Sequence, residues 1–61
     1  MIVEFFGGIK DGEFLYLPNL EKILSFSSFD SISMKERKHE YGLVEDCDLI
    51  YYRFLDTKEK N

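Results

Sequence analysis

Several short stretches of the chain alternate apolar with polar residues or run β-branched and aromatic between turn signals, and that pattern predicts strands. Ile2 to Phe6 is such a stretch, and it stops at Gly7-Gly8, where the backbone is free to take positive φ. The segment from Gly7 to Gly12 is turn-rich, and Glu13 to Leu17 resumes aromatic and aliphatic residues until Pro18, which has no N–H for a ladder. The two stretches read as a β-hairpin. A phosphate-cradling glycine loop competes for the same residues, but neither Gly-Lys-Ser/Thr nor a helix start follows, and the next residue is the repelling Glu13.

The middle of the chain carries two readings. Asn19 to Leu24 offers an N-cap residue and helical spacing of Leu20, Ile23 and Leu24, while Lys22 to Phe26 also alternates as a strand. A short turn running into a third strand is favoured. Ser25 to Ser33 is serine-rich, and serine side chains bond their own backbone in competition with regular structure, which predicts a long loop. Phe26, Phe29 and Ile32 recur every three residues there; packing onto the core is favoured over a contact patch, because large exposed apolar patches are uncommon on soluble monomers.

Lys35, Arg37 and Lys38 lie close together but are balanced by Asp30, Glu36 and Glu40, so a solvated strand entry is the expected role. His39, Tyr41 and Leu43 then alternate with Lys38, Glu40 and Gly42, which predicts a fourth strand. Val44 to Asp48 reads as an acidic turn. Leu49 to Leu55 is the most β-prone stretch, with Ile50, Tyr52 and Phe54 facing one way and Leu49, Tyr51 and Leu55 the other, so both faces could be buried. Residues 1 to 55 then make one domain, and residues 56 to 61, without an apolar side chain, a flexible charged tail. The fold class expected is mainly β: an antiparallel sheet or half-open barrel of four to five strands, with at most one helical turn near residues 19 to 24 or 28 to 34.

Composition narrows the function. At 61 residues and 44% hydrophobic the chain can pack a small core, and a net charge of -4 disfavours direct binding of DNA or RNA, whose ligands are usually basic. A single cysteine, Cys47, excludes an internal disulfide and fits a reducing, cytoplasmic setting; no apolar run is long enough to span a membrane. Cys47 with His39 is the one candidate nucleophile and base, but Asp46 and Asp48 place negative charge on both sides of the thiol, so a plain surface cysteine is expected. Glu45, Asp46 and Asp48 hold only the first fragment of a calcium loop. Neither a catalytic set, a metal site nor a cofactor is expected.

Gly7-Gly8 with Asp11-Gly12-Glu13, a strand ending in Pro18, Tyr41-x-Leu43, and the closing Tyr51 to Phe54 together resemble small, mostly uncharacterised proteins encoded in phage and prophage genomes. The resemblance implies a compact β-rich domain of phage type and transfers no site residue. The serine and phenylalanine segment departs from the proline-rich middle of that group.

The function expected is a non-enzymatic acidic protein-binding module that covers a partner's surface with an aromatic sheet and a carboxylate rim. With the phage resemblance, this becomes a host-takeover factor acting in the bacterial cytoplasm on a host protein, for instance a basic nucleic-acid-binding one. DNA mimicry is a second mode, should Glu4, Glu13, Glu40, Glu45, Asp46 and Asp48 fall along one face. Glu40, Glu45, Asp46, Asp48 and Phe29 are the candidate partner-binding residues. The alternative is self-assembly, as a homodimer or minor virion protein, because the second face of the last strand needs cover.

Overall fold

A computed structural model describes residues 1 to 60, Lys60 by its main chain alone; Asn61 lies outside the described residues. The chain folds into β1 (Ile2–Phe6), a single 3-10 turn (Gly8–Lys10), β2 (Phe14–Tyr16), β3 (Ile23–Asp30), β4 (Lys35–Asp46) and β5 (Leu49–Lys60). These strands form one mixed sheet in the order β2-β1-β5-β4-β3, curled into a half-barrel. The mainly β class expected from the sequence is therefore observed, with one difference in topology. β1 and β2 form the expected hairpin and β3, β4 and β5 follow as antiparallel neighbours, but β1 lies parallel to β5.

The core occupies the concave face. Val3, Phe5, Tyr41 and Tyr52 are fully buried there, and Leu15, Leu17, Leu20, Leu24, Phe26, Leu43, Ile50 and Phe54 pack around them. Phe5 stacks on Tyr52 with centroids 5.1 Å apart and meets Tyr41 and Phe26 edge-on, the arrangements that aromatic quadrupoles favour. Both buried tyrosines satisfy their hydroxyls on main chain: Tyr52 donates to the Glu21 carbonyl at 2.7 Å, while Tyr41 donates to the Gly7 carbonyl and accepts the Lys10 N–H. Burial pushes the Tyr52 phenol up, keeping it neutral.

The glycine turn is built around the same Tyr41. A Cβ on Gly8 would lie 2.6 Å from a Phe54 ring carbon and 2.7 Å from the Tyr41 hydroxyl, and the residue sits at φ +64°. Asp11 accepts the Gly7 N–H at 2.7 Å, and Gly12 returns its own N–H to the Phe5 carbonyl. Gly-Gly-x-x-Asp-Gly is thus a loop folded tightly onto the core.

Several expectations are corrected. Ser25 to Ser33 is mostly strand: β3 runs to Asp30 with strict alternation of exposed and half-buried residues, and only residues 31 to 34 turn, because main-chain pairing with β4 outweighs the local bonds serine offers. Of the phenylalanine series only Phe26 packs inward; Phe29 is 61% and Ile32 is 93% exposed, since a strand's period of two sends Phe26 and Phe29 to opposite faces. The acidic turn is shorter than expected, with β4 continuing to Asp46 and only Cys47 and Asp48 between the strands. Finally, Asp56 to Lys60, expected as a tail, completes β5 by pairing with Glu36 to Glu40. The one helical turn lies at Gly8–Lys10, not near residues 19 to 24 or 28 to 34.

Candidate protein-binding surface

A single curled sheet has one interior, so whatever the strands carry on the convex side stays in solvent. Register places Ile2, Glu4 and Phe6 of β1, Phe14 and Tyr16 of β2, and Leu49, Tyr51, Arg53 and Leu55 of β5 on that convex side. The result is an apolar surface: Ile2, Phe14, Tyr16 and Leu49 are each more than 60% exposed, and Phe6 and Leu55 are 43%. The expectation that both faces of β5 are buried therefore fails: Leu49 stands open to solvent, and Leu55, lying over Gly42, is only partly covered.

At the β1/β5 seam this surface sinks into an open groove of about 430 Å³ lined by Glu4, Phe6, Leu49, Ile50 and Tyr51. Phe6 meets Tyr51 edge-on at 5.2 Å and shapes one wall. Phe14, Glu4 and Tyr51 form one row across β2, β1 and β5, which sets a carboxylate between two aromatic rings. Among the described residues no ammonium or guanidinium pairs with Glu4; the ion pairs present are Lys10–Glu13, Lys35–Glu59, Arg37–Glu59 and Lys58–Glu40. Glu4 is half-buried in apolar surroundings with its charge unbalanced, an arrangement that favours an incoming cation.

Of the residues proposed from the sequence, Glu45, Asp46 and Asp48 lie at the β4–β5 tip, all exposed, with the consecutive strand residues Glu45 and Asp46 directed to opposite faces of the sheet. The Tyr52 hydroxyl donates to the Glu21 carbonyl and the Leu43 N–H to the Lys22 carbonyl, which sets Glu21 at the same end of the molecule. Glu40 lies apart and is paired with Lys58 at 3.0 Å, an interaction that raises the Lys58 pKa. Phe29 stands on the outer side of β3, opposite Glu36 and away from the acidic tip. Glu13 is tied to Lys10 beside the glycine turn, so the six acids considered for mimicry do not form one row.

His39 and Cys47 do not meet. They lie on one strand line, separated by roughly 26 Å at about 3.3 Å per residue. His39 is buried, with Ser28 Oγ 2.8 Å from its Nε2 and Thr57 Oγ1 3.0 Å from its Nδ1, so both ring nitrogens have partners. Cys47 is exposed at φ 43° in the tip. Among the described residues no group of carboxylate, imidazole and thiol side chains could hold a metal ion, and no helix is long and apolar enough to cross a membrane.

Phe14, Tyr16 and Phe6 are the surface residues that strand-by-strand reading missed as a site. Their signal was present: Ile2 to Phe6 and Phe14 to Tyr16 are apolar on both faces, and a sheet without a second layer can bury only one. Compared with known protein families, curated proteins and solved structures, the chain matches none.

Proposed function

We propose that this chain is a non-enzymatic protein-binding module whose convex β2–β1–β5 face covers the surface of a partner protein. The carrying observation is an aromatic and aliphatic face with an unpaired carboxylate set into it, flanked at one end by the acids of the β4–β5 tip. Large exposed apolar surface rimmed by charge is the signature of an interaction site. The complementary partner carries an apolar side chain for the groove and a lysine or arginine for Glu4, within a basic surface that Glu45, Asp46 and Asp48 attract at long range. The resemblance to phage-encoded proteins supports a bacterial host protein as that partner, inhibited by occlusion in the cytoplasm.

The test compares affinity capture from bacterial lysate by the wild type, Phe14→Ser with Tyr16→Ser, and Glu4→Gln, eluted along a salt gradient. Both aromatic positions are exposed, so their replacement leaves the fold intact by circular dichroism. A specific basic protein held by the wild type, lost by the double variant and eluting at lower salt from Glu4→Gln supports the reading. Capture that ignores all these changes refutes this surface.

A further inference from the structure

The sheet has two edges, β2 and β3. β2 is three residues long, whereas β3 runs for eight and holds no charge, proline or glycine between Ile23 and Phe29. Folded proteins normally blunt such an edge with a lysine, a proline, a bulge or a covering segment, because unpaired N–H and C=O groups template further pairing. β3 has no bulge either, its register with β4 running unbroken from Ile23↔Gly42 to Asp30↔Lys35.

Its outward hydrogen-bonding groups can be assigned. The Leu43 N–H donates to the Lys22 carbonyl at 2.9 Å. Bonded pairs alternate along an antiparallel ladder, so Leu24, Phe26, Ser28 and Asp30 bond to β4, and the main chain of Ile23, Ser25, Ser27 and Phe29 points away from the sheet.

We propose that this edge pairs antiparallel with β3 of a second copy of the chain, about a two-fold axis at Phe26, joining two half-barrels into one continuous sheet. That register sets Ile23 opposite Phe29 of the partner copy and Ser25 opposite its Ser27, all residues whose main-chain groups face outward. It also sets Lys22 opposite Asp30 of the partner copy, twice by symmetry. Moving the axis by one residue, to Ser25 or Ser27, puts Ile23 or Phe29 opposite serine and leaves both charges without partners. The chosen register alone covers the half-exposed Ile23 with the exposed Phe29 on the convex side and brings the two Phe26 rings together on the concave side. Asp30 is held in place for this role by the Ile32 N–H at 2.9 Å and the Ser33 N–H at 3.5 Å, both on Oδ1, and among the described residues no ammonium or guanidinium forms an ion pair with it. This interface lies at the opposite edge from β2 and leaves the β2–β1–β5 face open.

Sedimentation velocity from low-micromolar to millimolar protein tests it. Ser27→Pro removes only an N–H that faces the edge, where proline is tolerated, so it keeps the strand and is expected to abolish the dimer. Lys22→Glu and Asp30→Lys each set like charges opposite one another twice, and each is expected to weaken dimerisation roughly tenfold or more. Mixed together, the two variants restore opposite charges at both positions, and the heterodimer regains wild-type affinity. A wild type that stays monomeric throughout overturns the proposal, as does a dimer that ignores Ser27→Pro or yields instead to Phe14→Ser. Should Ser27→Pro fail to fold, the mixing experiment decides alone: a mixture no tighter than either variant refutes the register.

Discussion

Gly8 shows how little room the core leaves. It holds φ +64°, and its missing side chain is the space that the Tyr41 hydroxyl and the Phe54 ring fill. Gly8→Ala therefore combines a left-handed backbone penalty with contacts at 2.6 and 2.7 Å, both against groups fixed in the core. The expected loss is about 2–4 kcal/mol, from strain plus overpacking. A chain of this length is stable by only about 3–9 kcal/mol, so this loss removes a large share of its stability. Gly12 is the control: it too has positive φ, but nothing stands within 4 Å of its Cβ position, so Gly12→Ala is expected to cost only about 1 kcal/mol. Urea melts of the two variants side by side check the contrast, and equal losses would mean that φ alone sets the cost.

Among the elements, β5 carries the most, because it joins β1 to β4 and extends past its apolar half into a charged one. Ending the chain after Asp56 removes Thr57 from His39 and Glu59 from Lys35 and Arg37. The exposed ion pairs contribute little, but a buried imidazole without its Nδ1 partner costs about 1–3 kcal/mol, and the lost ladder adds to that. Thermal melting should therefore fall by roughly 10 °C or more for a domain of this size, where a free tail would leave it unchanged. This half of β5 was not legible in the sequence, since Asp56 to Lys60 pair through main chain and charge and offer no apolar residue to mark a strand. β3 was hidden for a related reason, its serines lying where an edge strand tolerates them. The β4–β5 turn was misjudged because its first residue, at φ 43°, is Cys47 and not the glycine that marks such turns. Ile2–Phe6, the Tyr41 strand and Leu49 to Leu55 were legible, because there the apolar pattern and the core coincide. The candidate surface was half legible: the second face of β5 was recognised as needing cover, but not that β1 and β2 extend the same face.

Over the whole molecule, 42 Å long, charge is distributed unevenly. Acids and bases interdigitate at the end where β3 and β4 turn, through Lys35 and Arg37 with Glu59 and through Glu40 with Lys58. The opposite end gathers Glu21, Glu45, Asp46 and Asp48, and among the described residues none of them has a cationic partner. Like charges held together in the folded state repel, and the chain gains no contact in return. Glu45→Gln with Asp48→Asn is therefore expected to stabilise the fold slightly at low ionic strength, by a few tenths of a kcal/mol, with the gain vanishing as salt screens the repulsion. The same variant should capture a basic partner more slowly, since steering depends on the field of that end. Melting temperature at low and high salt, set beside association rate in the same buffers, separates the two effects. A variant that is more stable and slower to bind identifies acids kept for recognition at the expense of stability. Unchanged stability and binding would make them solubilising charges and leave the apolar face as the whole of the binding surface.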